Sequence, residues 1–253
     1  MNTAKLLRVA LDIGEKMLIS GAEIGRVEDS VKRILMTYDM RRADVFTITS
    51  SIVATVTDSQ ENTITQTRRI SKYSTDLDKL HSLNALSRKI CAEKLELSQI
   101  QKELSEIDGR KVYPFAMQCA AFALIAGAFT IFFGGNFIDA AAAAVIGAVL
   151  KVVVYIADKS AVNMVFANVV SSFILCSLAF LCVFIGFGEH VDMIIIGNIM
   201  LLIPGIGLTN SIRDIVSGDI MAGMLRFCES VIIAVAIAAG YILSALLLGG
   251  LIR

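Results

Sequence analysis

Two textures of hydrophobic patterning meet in this chain near residue 113: apolar positions are spaced before it and run together after it. Leu6, Leu7, Ala10, Ile13, Met17 and Leu18 recur at helical spacing, with Lys5, Arg8, Asp12, Glu15 and Lys16 between them. That predicts an amphipathic helix stopped at Ser20-Gly21. A second helix is predicted from about Ala22 through Ile24, Val27, Val31, Ile34 and Leu35 to Tyr38. The texture then changes. Residues 44–57 (DVFTITSSIVATVT) and 62–70 (NTITQTRRI) are dense in Val, Ile and Thr and partly alternate, with a turn over 58–62. Two or three antiparallel strands follow. Helical spacing returns over 76–108, where Leu77, Leu80, Leu83, Asn84 and Ile90 form one stripe and Leu97, Ile100, Leu104 and Ile107 another. Ser74 or Thr75 is placed to cap the first stripe, and Asp108-Gly109 ends the second. Residues 1–113 are thus expected to form one small soluble α+β domain.

From Pro114 onward the pattern leaves few polar positions. Five apolar segments can be drawn, at about 115–133, 138–156, 162–187, 191–208 and 228–252. Each approaches the ~20 residues that a helix needs to cross the hydrocarbon layer. Charge follows the same boundary: residues 1–113 hold 18 Lys/Arg and 16 Asp/Glu, and residues 114–253 hold 5 and 7. A soluble core of that size would have almost nothing polar to cover it. The expectation is an α-helical integral membrane protein, with an N-terminal soluble α+β domain (1–113) followed by about five transmembrane helices (114–253), and the lipid bilayer as its solvent.

Orientation follows from the links between segments. With the N-terminal domain inside, the links near 158–159 and over 209–226 are also inside and carry Lys159, Arg213 and Arg226. The links at 134–137 and 188–191 fall outside and carry no Lys or Arg; only terminal Arg253 does. This obeys the positive-inside rule and puts the C-terminus outside. The first residues, interrupted by Arg8, Asp12 and Glu15, hold no signal-peptide core. The formal net charge is zero, which gives nucleic acid no electrostatic footprint here. Cys91, Cys119, Cys176, Cys182 and Cys228 form no C-x-x-C pair and read as small buried hydrophobes. His81 has no second histidine nearby, so no metal is expected, and no nucleotide or other cofactor motif is present.

The polar residues left among apolar ones carry the candidate chemistry. Residues 201–226 read LLIPGIGLTNSIRDIVSGDIMAGMLR. Pro204 removes a backbone donor and Gly205 loosens the turn, so the fourth helix is expected to break there. Broken helices in membranes are tolerated where they line a cavity, and their ends offer partial charge to a substrate or ion. Thr209, Asn210, Arg213 and Asp214 follow, the last three within about one helical turn. Arg213 could clamp a carboxylate, and Asp214 could pair with Arg213 or take up a proton. The alternative is a plain helix-to-helix link with interfacial charges, Arg226 included. Lys151 has two readings, a cation for an anionic substrate or a side chain snorkelling to the interface. Asn163, Asn168 and Asn198 default to interhelical hydrogen bonds, and Asn198 is also a candidate for the path. Asp139 and Asp192 stand where a carboxylate caps a helix start. In the N-terminal domain, Gly21, Glu23, Arg26 and Glu28 cluster at the start of the second helix.

Two motifs together resemble one family. GAEIGRVEDS at 21–30 looks like the G-x-E-x-x-R-V-E-x-[ST] signature of the threonine/serine exporters. PGIGLTNSIRDIVSGDIMAGMLR at 204–226 is similar to that family's P-G-x-x-x-x-N-x-x-x-D-x-x-x-G-x-x-x-x-G-x-x-R pattern, matching at Pro204, Gly205, Asn210, Asp214, Gly218, Gly223 and Arg226. The resemblance spans essentially the whole chain. It implies secondary, proton-coupled export of a small polar metabolite across the cytoplasmic membrane of a prokaryote, and no enzymatic activity. Some members carry a further set of about five helices. Others stop after five and are similar to the large subunit of a two-component exporter, some handling a dicarboxylate such as succinate. The resemblance therefore implies a second small membrane subunit, a homo-oligomer, or both. The rival reading is a membrane-anchored enzyme or sensor whose N-terminal domain carries the activity.

Overall fold

The computed structural model describes residues 2–71, 73–110, 113–160 and 162–252. Terminal Arg253, placed on the outer side from sequence, lies outside the described residues. The chain divides into two units that interleave in sequence, one of residues 1–111 with 205–228, the other of 112–204 with 229–253.

In the first unit, α1 (Thr3–Ile19) and α2 (Ile24–Thr37) lie between a sheet and a helical pair, α3 (Leu77–Glu93) and α4 (Leu97–Asp108). β1 (Arg42–Ile48), β2 (Ser51–Thr57) and β3 (Thr63–Arg69) form an antiparallel meander in that order, with Val45 opposite Ala54 and Thr55 opposite Thr65. Being covered on several sides, α1 buries Leu6, Leu7, Val9, Ala10, Leu11, Ile13, Met17 and Leu18, more than one stripe. The central strand alternates, turning Ile52, Ala54 and Val56 into the core. Helix α3 is capped by Asp76, whose side chain accepts from the Lys79 amide, and not by Ser74 or Thr75. The reason is local: Ser74 and Asp76 donate their amides to Ile19 and Ser20 at the end of α1, which keeps 74–76 extended. α9 (Gly205–Val216) and the start of α10 (Ile220–Leu248), to Cys228, also belong to this unit, and Ala222 joins its core.

The second unit holds α5 (Phe115–Phe132), α6 (Phe137–Lys159), α7 (Met164–Phe184), α8 (Val191–Ile199) and α10 from Glu229 onward. Small residues let these helices approach closely. A Cβ at Gly147 would stand 2.7 Å from the Phe122 carbonyl, and one at Gly240 would stand 2.3 Å from that of Val169. Ser172 donates to the Ile237 carbonyl at 2.7 Å, and Ser177 meets Ser244 at 3.0 Å, joining α7 to α10. Leu124, Phe132 and Phe137 are 74%, 77% and 85% exposed, a surface that belongs in lipid.

Among the described residues, four helices are long and apolar enough to cross a membrane: α5, α6, α7 and α10. The expected fourth span, 191–208, is instead split. α8 has nine residues, about 14 Å at the helical rise, and ends before Pro204; α9 starts at Gly205. Leu201 and Leu202 close a turn on Asn198 and Ile199 in between. The break lies where Pro204-Gly205 placed it, but it leaves two short helices in place of one kinked span.

Candidate functional site

The two motifs, some 190 residues apart in the chain, meet within the first unit. The turn after α1 is tight: Gly21 has φ +97°, a left-handed conformation that favours glycine. This leaves Glu23 extended as the N-cap residue of α2, yet its own side chain does not cap. Asp214 of α9 does so instead, its Oδ1 accepting the Ile24 amide at 3.1 Å. A carboxylate suits that position, because first-turn amides lack helical partners and carry partial positive charge. Its other oxygen accepts from Arg226 Nη1 at 3.1 Å, and Arg226 Nη2 donates to the Ala22 carbonyl at 3.3 Å. Asp214 is 2% exposed and Arg226 8%. Asn210, one turn before Asp214, donates its side-chain amide to the Gly21 carbonyl at 3.0 Å.

The pairing expected between Arg213 and Asp214 is not formed. Adjacent residues on a helix diverge by about 100°. Arg213 reaches Glu23 instead, and Arg26 stands 3.7 Å from the same carboxylate. The α9–α10 connection makes the rest possible. Gly218, at φ +100°, turns the chain, and Gly223 lets α10 close on α9, since a Cβ there would stand 2.7 Å from the Ser211 carbonyl. Arg226 is thereby brought back over Asp214.

Burial pushes the Asp214 carboxyl above the usual carboxylate range, against Arg226 and the Ile24 amide, which pull it down; Asp219 and Glu23 add to the rise. Glu28 is likewise raised by burial, although the Thr47 amide donates to it at 2.6 Å; nearby Asp219 adds to the rise. The arrangement therefore presents a buried carboxylate with a raised proton affinity, held by a guanidinium and a helix end. Among the described residues no cluster of three or more His, Cys, Asp or Glu side chains is placed to hold a metal.

Gly21, Glu23, Arg26, Asn210, Arg213, Asp214 and Arg226 are thus brought together, with Glu28 bonded to β1 beside them. Thr209 is not recruited; its hydroxyl bonds the Gly205 carbonyl of its own helix. Lys151, Asn198 and Pro204 belong to the second unit. Lys151 lies over the Phe122 ring at 5.1 Å. Asn198 is fully buried; its amide nitrogen bonds Ile194 within α8, and its oxygen has no partner among the described residues. Among the described residues Asn163 and Asn168 likewise show no interhelical bond and serve their own helix α7. Of the five cysteines, all free, Cys176 is the buried one and Cys228 is exposed.

A further cluster was not read from sequence beyond its cap. Asp139 does sit in a capping box with Asn136, and it also accepts the amides of Glu189 and His190 at 2.7 and 3.0 Å and the His190 ring nitrogen at 2.8 Å. Its full burial ties the α5–α6 loop to the α7–α8 loop. The sequence signal was an acid in the first turn of α6 and a histidine just before α8.

Compared with known proteins, residues 8–249 match the family model of the threonine/serine exporters. The chain is similar to a probable threonine/serine exporter of Mycobacterium tuberculosis, 22% identical over 246 residues, covering 96% of this chain and 46% of that protein. It is also similar to a threonine/serine exporter of Corynebacterium glutamicum, 23% identical over 244 residues, covering 94% of this chain and 50% of that protein. The chain thus spans about half the length of these relatives. No solved structure matches it.

Proposed function

Because the chain belongs to the threonine/serine exporter family, we propose that it is a subunit of a secondary exporter in the cell membrane. The cargo is a small polar metabolite, either a threonine- or serine-like amino acid or a dicarboxylate such as succinate, and its export is coupled to protons. The N-terminal domain lies in the cytoplasm and the C-terminus outside. A second small membrane subunit, or a second copy of this chain, completes the transporter.

The observation that carries the proposal is the convergence of both motifs on Asp214. A buried carboxylate with raised proton affinity, paired to Arg226 and capping α2, is a two-state element. Protonation would weaken its hold on the guanidinium and on the helix end together. Within the second unit, the buried amide oxygen of Asn198, without a partner among the described residues, suits a cargo ammonium or hydroxyl donor.

The test is flux of labelled threonine, serine and succinate from liposomes holding the purified chain, with and without an imposed pH gradient. Gradient-driven flux of one of them is expected, either from the chain alone or after co-expression with a second membrane protein of the same family. Asp214→Asn should abolish the gradient dependence. Absence of flux in both arrangements, with protein shown to be folded, would overturn the proposal.

A further inference from the structure

The face of α2 that carries the first motif also borders a cavity of about 740 Å³, walled by α3 on its other side and by Asp214 and Ser217. That volume is in the range of small-molecule sites. Its walls carry three arginines, Arg26, Arg33 and Arg88, and two more from outside the wall, Arg213 and Arg226, reach its carboxylates. Three carboxylates line it: Glu23, Asp29 and Asp214. Each already has a guanidinium. Arg213 holds Glu23, Arg33 holds Asp29 at 2.8 Å, and Arg226 holds Asp214. Two lining arginines remain. Arg88 of α3 has no carboxylate within ion-pair distance among the described residues, and Arg26 of α2 stands 3.7 Å from Glu23, which Arg213 already occupies.

The wall also holds neutral hydrogen-bonding groups, Ser30 and Ser87, both nearly buried, and Asn84. The first-turn amides of α2 at Gly25 and Arg26 have no helical carbonyl to serve. Gly25 is itself exposed in the wall. Arg88, with no carboxylate partner among the described residues, and Arg26, which shares Glu23 with Arg213, each offer a planar fork of donors and together match a ligand bearing two negative charges on carboxylate or phosphate oxygens. A zwitterionic amino acid brings one carboxylate and an ammonium; the three lining carboxylates are already engaged, and the nearest further acid is Asp219, beside Gly25 at the edge of the wall.

We propose that this cavity binds a small dianionic metabolite, anchored by Arg88 and Arg26 and contacted by Ser87 and Asn84. The site lies wholly within the first unit and does not depend on which cargo is exported.

The experiment is calorimetric titration of the purified full chain in detergent with succinate, with inorganic phosphate and with threonine, at low ionic strength. One site for a dianion is expected, with threonine at least about tenfold weaker. The tighter of succinate and phosphate identifies the carboxylate or phosphate class. Arg88→Gln and Arg26→Gln should each weaken binding about tenfold or more, while Arg69→Gln, exposed on β3 away from the cavity, leaves it unchanged. Unchanged melting of either variant excludes misfolding, and one folded variant suffices. No binding of either dianion, binding that survives both substitutions, or threonine binding as tightly as the dianions would each overturn the proposal. Binding is read without flux, so this result stands apart from the outcome of the liposome test.

Discussion

Asp214 takes one donor from a helix at the start of the chain and another from a helix twelve residues further on. Removing one partner of a buried pair leaves the other charge desolvated, so Asp214→Ala is expected to cost about 3 kcal/mol. Arg226→Ala should cost a similar amount, and the double variant much less than the sum, as a double-mutant cycle in thermal unfolding would reveal. His190 is the second residue with a checkable consequence. The hydrogen bond to Asp139 raises its pKa above the ordinary 6.5, against burial, and the charges of Asp139, Glu189 and Asp192 add to the rise. Folding therefore favours its protonated form. That contribution is complete below pH 6.5 and is lost as pH rises through the higher folded value. The melting midpoint should fall across that window, and His190→Gln should flatten the fall. Both residues show how far single positions could be read. Asp214 was legible as a candidate because an acid in an apolar half is rare. Its partner was not, because helix geometry turns neighbouring Arg213 away and only the fold brings Arg226 back. Asn198 was legible as polar in an apolar setting, but its bond within its own helix depended on where α8 ended.

At the scale of elements, α1, α2, the three strands, α3 and α4 stood in the periodicity of the sequence, because each turns apolar positions at regular spacing toward a shared core, although α1 buries more than one stripe. What periodicity missed were starts and stops set by contacts from elsewhere. Asp76 replaces Ser74 or Thr75 as a cap because the end of α1 holds residues 74–76 extended. The fourth apolar segment looked like one span because hydropathy does not register the turn over 200–204. The α9–α10 corner carries its own prediction. Gly223→Val would drive a side chain into the Ser211 carbonyl and Ile215, with Cβ contacts of 2.7 and 2.5 Å. It should lower stability by about 1–3 kcal/mol and loosen Arg226 from Asp214. A matched loss of coupling between Asp214 and Arg226 in the cycle above would check this. Gly205, with open space around it, should tolerate alanine by the same measurement.

For the whole molecule, the proposed orientation puts the 58–62 turn on the cytoplasmic side. A protease site inserted there should be cut in inverted membrane vesicles and spared in right-side-out ones; the reverse pattern would overturn the orientation. The division of charge near residue 113 made the membrane half legible. The return of 205–228 to the amino-terminal unit was not legible, because Leu208, Ile212 and Val216 read like any other apolar stripe. That return has a consequence for synthesis. The helix beginning at Ile24 is finished by a carboxylate that the ribosome adds about 190 positions later, an interval of roughly 10–40 s at ordinary elongation rates. Through that interval the nascent amino-terminal segment waits with a frayed helix end, while several apolar segments enter the bilayer before the closing residue emerges. Completion of this unit therefore reports that insertion has run nearly to its end, and a quality-control protease that recognises the frayed end could remove chains stalled before Asp214.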